Sequence, residues 1–178
     1  MKRANWFVFL LINFLVFTGF LTYSVWEKEK IRKTGRLVFL PLVPKDPRSL
    51  FQGDYMILNY DWERLETEES ANAPKRGCMV FRIENEEFIP VRLQENFTNL
   101  SLGEHCLKYY RSEFQLKIGA ESYFFQEGVA GLFSEAKYAG IRFKERDNNG
   151  DKLLVGLYDK NKQLLGEKET LRIPESKK

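Results

Sequence analysis

The chain has 178 residues, with 28 Lys plus Arg against 25 Asp plus Glu and a formal charge of +3. Lys2 and Arg3 precede everything else, and from Glu27 onward the count is 26 against 25. That balance gives no support for the concentrated basic face a nucleic-acid binder needs, and two cysteines with one histidine cannot complete a structural zinc site without carboxylates.

Residues 6–26 read WFVFLLINFLVFTGFLTYSVW, an uncharged run in which sixteen of 21 residues are apolar or aromatic. As a helix such a run rises about 31 Å, enough to cross a bilayer core. It is longer than a signal-peptide core and ends without a small-residue cleavage site. Trp6, Tyr23 and Trp26 stand at its ends, where aromatic rings favour the interface. The run is therefore expected to be an uncleaved anchor at 6–26, behind a cytoplasmic tail at 1–5; a signal peptide cut at an unusual site is the rival. Lys28, Lys30, Arg32, Lys33 and Arg36 follow the run, so counting positive charges favours neither side. The short positive head resembles a secretory n-region, which places the domain outside the cytoplasm. Asn13, near mid-membrane, reads as a tolerated polar residue.

Residues 27–36 form a charged juxtamembrane stalk, and the hydrophobic period then changes from helical to two-residue. Leu37 to Val43 predicts a first strand, with Pro41 arguing for a sheet edge. Residues 54–60 predict the next strand, with Tyr55 and Tyr60 on opposite faces. Residues 67–76 are polar and loop-like. Residues 79–83 with 88–93, and 105–110 with 114–118, predict two hairpins. Residues 120–125 are strand-like, and 127–138 predict one short helix bounded by glycines. Residues 141–146 and 152–158 flank Asn149-Gly150, which supplies the positive φ of a tight turn. The expected architecture is an N-terminal transmembrane helix followed by a mainly antiparallel β domain over 37–173. Eight or nine short strands and one short helix are expected there, with a frayed end at 174–178. At about 140 residues such a domain is large enough for its own core. Cys78 and Cys106 lie 28 positions apart; an exported domain permits a disulfide between them, and two buried thiols are the equal alternative.

The sharpest pattern is Gly53-Asp54-Tyr55-Met56-Ile57-Leu58-Asn59-Tyr60. It resembles the bacterial family named for its signature Gly-Asp-Tyr-x-x-Leu-x-Tyr, matching at Gly53, Asp54, Tyr55, Leu58 and Tyr60. The preceding stretch from Asp46 through Arg48 to Phe51 is similar to that family's lead-in. A second block, Glu121-Ser122-Tyr123-Phe124-Phe125-Gln126-Glu127-Gly128, resembles its Glu-Arg-Tyr-Phe-x-x-Glu-Gly stretch, with Ser122 where Arg is usual. The resemblance implies a single-anchor membrane protein and brings no catalytic residue with it.

Read by their own chemistry, these positions describe a turn and a strand: Gly53 permits a tight entry and Asp54 can bond turn amides. The functional version gathers Arg48, Asp54, Glu121 and Glu127 in one polar groove walled by Tyr55 and Tyr123. Other chemistry is thinner. Pro47 followed by Gly53-Asp54 faintly echoes a signal-peptidase nucleophile loop, but the nucleophile position holds Lys45; Ser49 with Lys45 as base is the substitute. His105 stands alone, and the Asp147–Asp151 turn lacks the Gly and Glu of a calcium loop. The expectation is a non-catalytic accessory or binding subunit of a membrane or envelope complex in the bacterial cytoplasmic membrane, without cofactor, metal or nucleic-acid partner. A signal-peptidase-like or carboxylate-based hydrolase, the latter pairing Asp54 with Glu127, is the alternative.

Overall fold

The computed structural model describes residues 2–43, 51–52, 55–62, 65, 73–112, 115–126, 129–145 and 150–166. Helix α1 (Lys2–Thr34) contains the whole apolar run and continues through the stalk. It is the one helix among the described residues long and apolar enough to cross a membrane, and the apolar side chains of 6–26 are exposed all round. Gly35 ends it: the Gly35 N–H donates to Ile31 O at 2.8 Å, and Arg36 begins the first strand. A Cβ at Gly35 would stand 2.4 Å from Ile31 O and 3.1 Å from Phe143 O, so only glycine fits between helix and sheet. Arg142 Nη1 donates to Gly35 O at 2.7 Å, and Ile31 is buried.

The strands are β1 (Arg36–Pro41), β2 (Phe51–Gln52), β3 (Tyr55–Ile57), β4 (Arg76–Glu84), β5 (Glu87–Gln94), β6 (His105–Ser112), β7 (Gln115–Lys117), β8 (Ser122–Phe124), β9 (Tyr138–Phe143) and β10 (Lys152–Tyr158). A seven-stranded sheet runs β10-β9-β1-β5-β4-β6-β7, and a three-stranded one runs β2-β3-β8. All pairings are antiparallel except β1 with β5. The large sheet curls until its far parts meet: Lys108 N on β6 donates to Gly150 O, just before β10, at 3.1 Å. The small sheet joins it through the Leu42–Tyr60 bridge. Between them lies a core of Val38, Leu40, Met56, Leu58, Met79, Phe81, Phe88, Leu107, Tyr109, Ile141, Phe143 and Leu157.

The mainly antiparallel β domain expected from the periodicity is present, and the predicted hairpins form. The β4–β5 turn uses Asn85 (φ 51°) and Glu86 (φ 67°), the left-handed pair that matches strand twist. Two details differ. Strand β1 is interior rather than an edge, lying between β9 and β5. Phe39 N donates to Glu86 O on the β5 side at 2.9 Å. Pro41, two residues on, faces the same way without an N–H, and the parallel ladder holds only at Phe39 with Glu87. Proline is thus accommodated at the strand's last residue by shortening one ladder. The helix expected over 127–138 is, among the described residues, a single 3₁₀ turn at Ala130–Phe133. Its C-terminal part is claimed by the sheet instead: Leu42 N donates to Lys137 O, and Tyr138 pairs with Pro41.

Gly35→Ala is expected to lower stability by about 1–3 kcal/mol, since the clash is with backbone that cannot rotate away. Chemical denaturation of the full chain in detergent, followed by β-sheet circular dichroism, measures it.

Candidate functional site

The two sequence blocks are one piece of structure. Strand β3 from the first block pairs with β8 from the second, placing Tyr55 opposite Phe124, Met56 opposite Tyr123 and Ile57 opposite Ser122. Leu58 N extends the ladder by donating to Glu121 O at 2.8 Å. Leu58 and Tyr60 are buried, and the Tyr60 hydroxyl donates to Ala120 O, one residue before Glu121. Burial first, and then the Glu121 charge, pushes the Tyr60 phenol above its ordinary pKa, so it is neutral and a donor. Its ring lies 5.3 Å from that of Trp62, whose Nε1 donates to Leu116 O at 3.1 Å.

Alternation along β3 and β8 sorts the remaining residues. Tyr55, Ile57 and Phe124 share the outward face; Phe124 is 74% exposed and its ring centroid lies 5.9 Å from that of Tyr55. Met56 and Tyr123 point the other way, and Tyr123 packs edge-on against Phe133 at 5.3 Å. Tyr55 and Tyr60 do lie on opposite faces. Tyr55 and Tyr123, however, do not wall one groove, because paired strands carry them to opposite sides. Glu121 is not aimed outward either. Its Oε1 accepts from Ile118 N at 2.5 Å and Gly119 N at 3.0 Å, capping a turn in which Gly119 has φ +75°. Asp46, Arg48, Gly53, Asp54, Glu127 and Gly128 lie outside the described residues, as do Lys45 and Ser49 of the hydrolase reading. Among the described residues no three His, Cys, Asp or Glu side chains come together to hold a metal ion.

Cys78 and Cys106 form a disulfide across β4 and β6, with Cα atoms 5.5 Å apart. With Val80, Phe97 and Leu100 they make a second small core on the outer face of the sheet, under the 95–104 loop. Glu104 secures that loop, and sequence reasoning missed it. Its side chain is 2% exposed; Oε2 lies 2.9 Å from Arg92 Nη2 and Oε1 3.2 Å from Arg82 Nη2. Ser101 N donates to Oε2 at 3.0 Å. The bond from Arg92 leads the causes that hold the carboxyl down at about 2. Its partners come from two strands of one hairpin, a convergence that sequence spacing does not advertise. His105, next along, sits between Phe81 at 5.4 Å and Phe143 at 5.1 Å, and burial leads the lowering of its pKa.

Both blocks, in order and paired in space, fall within residues 17–157, which match the family described as GDYXXLXY protein. The chain belongs to the GDYXXLXY family. No curated protein and no solved structure matches it. The family match begins inside α1 and ends in β10, so it takes in the helix-to-sheet junction as well as the signature ladder.

Two outcomes follow from this geometry. Tyr60→Phe leaves Ala120 O without its donor inside the core and is expected to cost about 1–2 kcal/mol by denaturant unfolding. Glu104→Gln is expected to cost about 1–3 kcal/mol at neutral pH, because two arginines lose their anion. The Glu104 carboxyl is held below its ordinary 4.5. Its contribution is therefore complete above about 4.5 and is lost as pH falls towards about 2. The stability gap between wild type and Glu104→Gln should close over that window; a gap unchanged down to pH 2 contradicts the assignment.

Proposed function

We propose that this protein is a non-catalytic accessory subunit, anchored in the bacterial cytoplasmic membrane by residues 6–26, whose domain binds another membrane or envelope protein from the extracytoplasmic side. The observation that carries the reading is the outward face of the signature ladder. Tyr55, Ile57 and Phe124 form an apolar patch on a strand pair whose other face is committed to the core. Scattered exposed apolar residues are ordinary, but exposed Ile57 and Phe124 beside half-buried Tyr55 on one ladder suit a protein contact. The disulfide supports the side of the membrane, since such bonds persist in oxidising compartments. The length and exposure of α1 support the anchor.

A photo-crosslinking amino acid at position 124 or 57, expressed in native membranes, tests the reading. One discrete adduct is expected from both sites and none from position 160, an exposed turn residue on the far end of β10. Phe124→Ser should abolish the adduct formed from position 57 while leaving the thermal midpoint unchanged. Adducts indistinguishable from those at position 160 would sink the proposal. Carbonate extraction of the same membranes tests the anchor separately.

A further inference from the structure

An open sheet has two edges, and both edges of the large sheet are covered. At β7, Leu116 O accepts from Trp62 Nε1 at 3.1 Å, and just beyond it Ile118 N donates to Glu121. At β10, Leu157 O accepts from Leu165 N at 2.8 Å, and Tyr158 bridges to Leu164. Uncovered edges invite pairing with another chain, so covering of this kind is the rule.

Strand β8 is an edge of the small sheet and has no such cover. The direction of its backbone groups follows from one bond. Leu58 N donates to Glu121 O, so Glu121 turns its backbone groups towards β3. Two residues on, Tyr123 does the same opposite Met56. Ser122 and Phe124 therefore turn their N–H and C=O groups away from β3. Among the described residues nothing is bonded to those four groups. The open stretch ends just beyond, where Val129 N donates to Gln126 O at 3.4 Å. Two donor–acceptor pairs thus stand about 6.8 Å apart on an open edge.

The side chains beside these groups are exposed. Ser122 and Phe124 both point to the outward face, with Tyr55 opposite Phe124 and Ile57 opposite Ser122. Strand β8 carries no Lys, no Pro and no bulge, the features that usually guard an edge; its guard is its length of three residues. So short an edge holds a strand only where side chains add to the backbone bonds, and Phe124 is placed to add them.

We propose that β8 receives a short extended segment of the partner protein as an added strand, bonded through the N–H and C=O groups of Ser122 and Phe124, with an apolar side chain lying against Phe124. This rests on the accessory reading above and names how that contact is made. A backbone in β conformation is the occupant because donors and acceptors at strand spacing match it. A second copy of this chain fits worse. Antiparallel pairing of β8 with its own copy through both residues would set each Phe124 against the other copy's Ser122.

The photo-crosslinking amino acid p-benzoylphenylalanine, placed at position 122 or 124 of the full chain in native membranes, tests this, with the captured residues mapped by mass spectrometry. An added strand predicts capture of one partner segment from both positions, at attachment points two residues apart in it. Ser122→Pro removes an outward N–H and leaves the β3–β8 bonds in place. It should cut the adduct from position 124 at least about fivefold at an unchanged thermal midpoint, while Ser122→Ala keeps the adduct. Attachment points scattered over several segments overturn the proposal, as does an adduct undiminished in folded Ser122→Pro. Both outcomes leave the accessory reading standing. An adduct between two copies of this chain also overturns the proposal. The attachment map carries the test if Ser122→Pro fails to fold. No adduct from positions 57, 122 or 124 would remove the accessory reading and this inference together.

Discussion

A helix must satisfy its last carbonyls before the chain can turn into a sheet, and here Gly35 and Arg142 do so together. Gly35 closes the final helical turn onto Ile31 O and fits against Phe143 O, where any Cβ would collide. Arg142, on the neighbouring strand β9, reaches back to Gly35 O. Helix and sheet become one body at this point. The exposed ladder face and the covered disulfide both take their orientation relative to α1 from this junction.

The signature ladder shows how one short motif serves both faces of a strand. Leu58 and Tyr60 point inward, and the Tyr60 hydroxyl ties the first block to the second through Ala120 O. Tyr55 points outward beside Phe124. The inward positions are explained by packing and one hydrogen bond. The outward pair gains nothing from the core, and so the binding proposal rests there.

Strand β4 carries the opposite lesson. Gly77 to Phe81 are buried continuously although an antiparallel strand usually keeps one wet face. Met79 and Phe81 enter the main core, while Cys78 and Val80 are covered by the 95–104 loop. Glu104 makes that second face dry by anchoring the loop to Arg82 and Arg92. The disulfide lies in this lesser core, which is the one held by charge as well as by apolar contact.

Local patterns along the chain were enough to settle the helix of 6–26, the strand alternation, the three hairpins, and membership suggested by two spaced blocks. Each depends on neighbours within a few positions, where periodicity and turn chemistry act. What pairs with what was not legible. Pro41 argued for an edge, yet β1 sits inside the sheet because only one of its two ladders needed the missing donor. Residues 127–138 had helical composition, yet Lys137 O accepts from Leu42 N and Tyr138 pairs with Pro41 of β1. Glu121 looked like a groove carboxylate until folding turned it onto its own loop. Tyr123 looked like a partner for Tyr55 until the register put them on opposite faces. The tertiary structure decided these because hydrogen-bond partners and faces are set by strands distant in sequence, and a one-residue choice of register reverses every side chain.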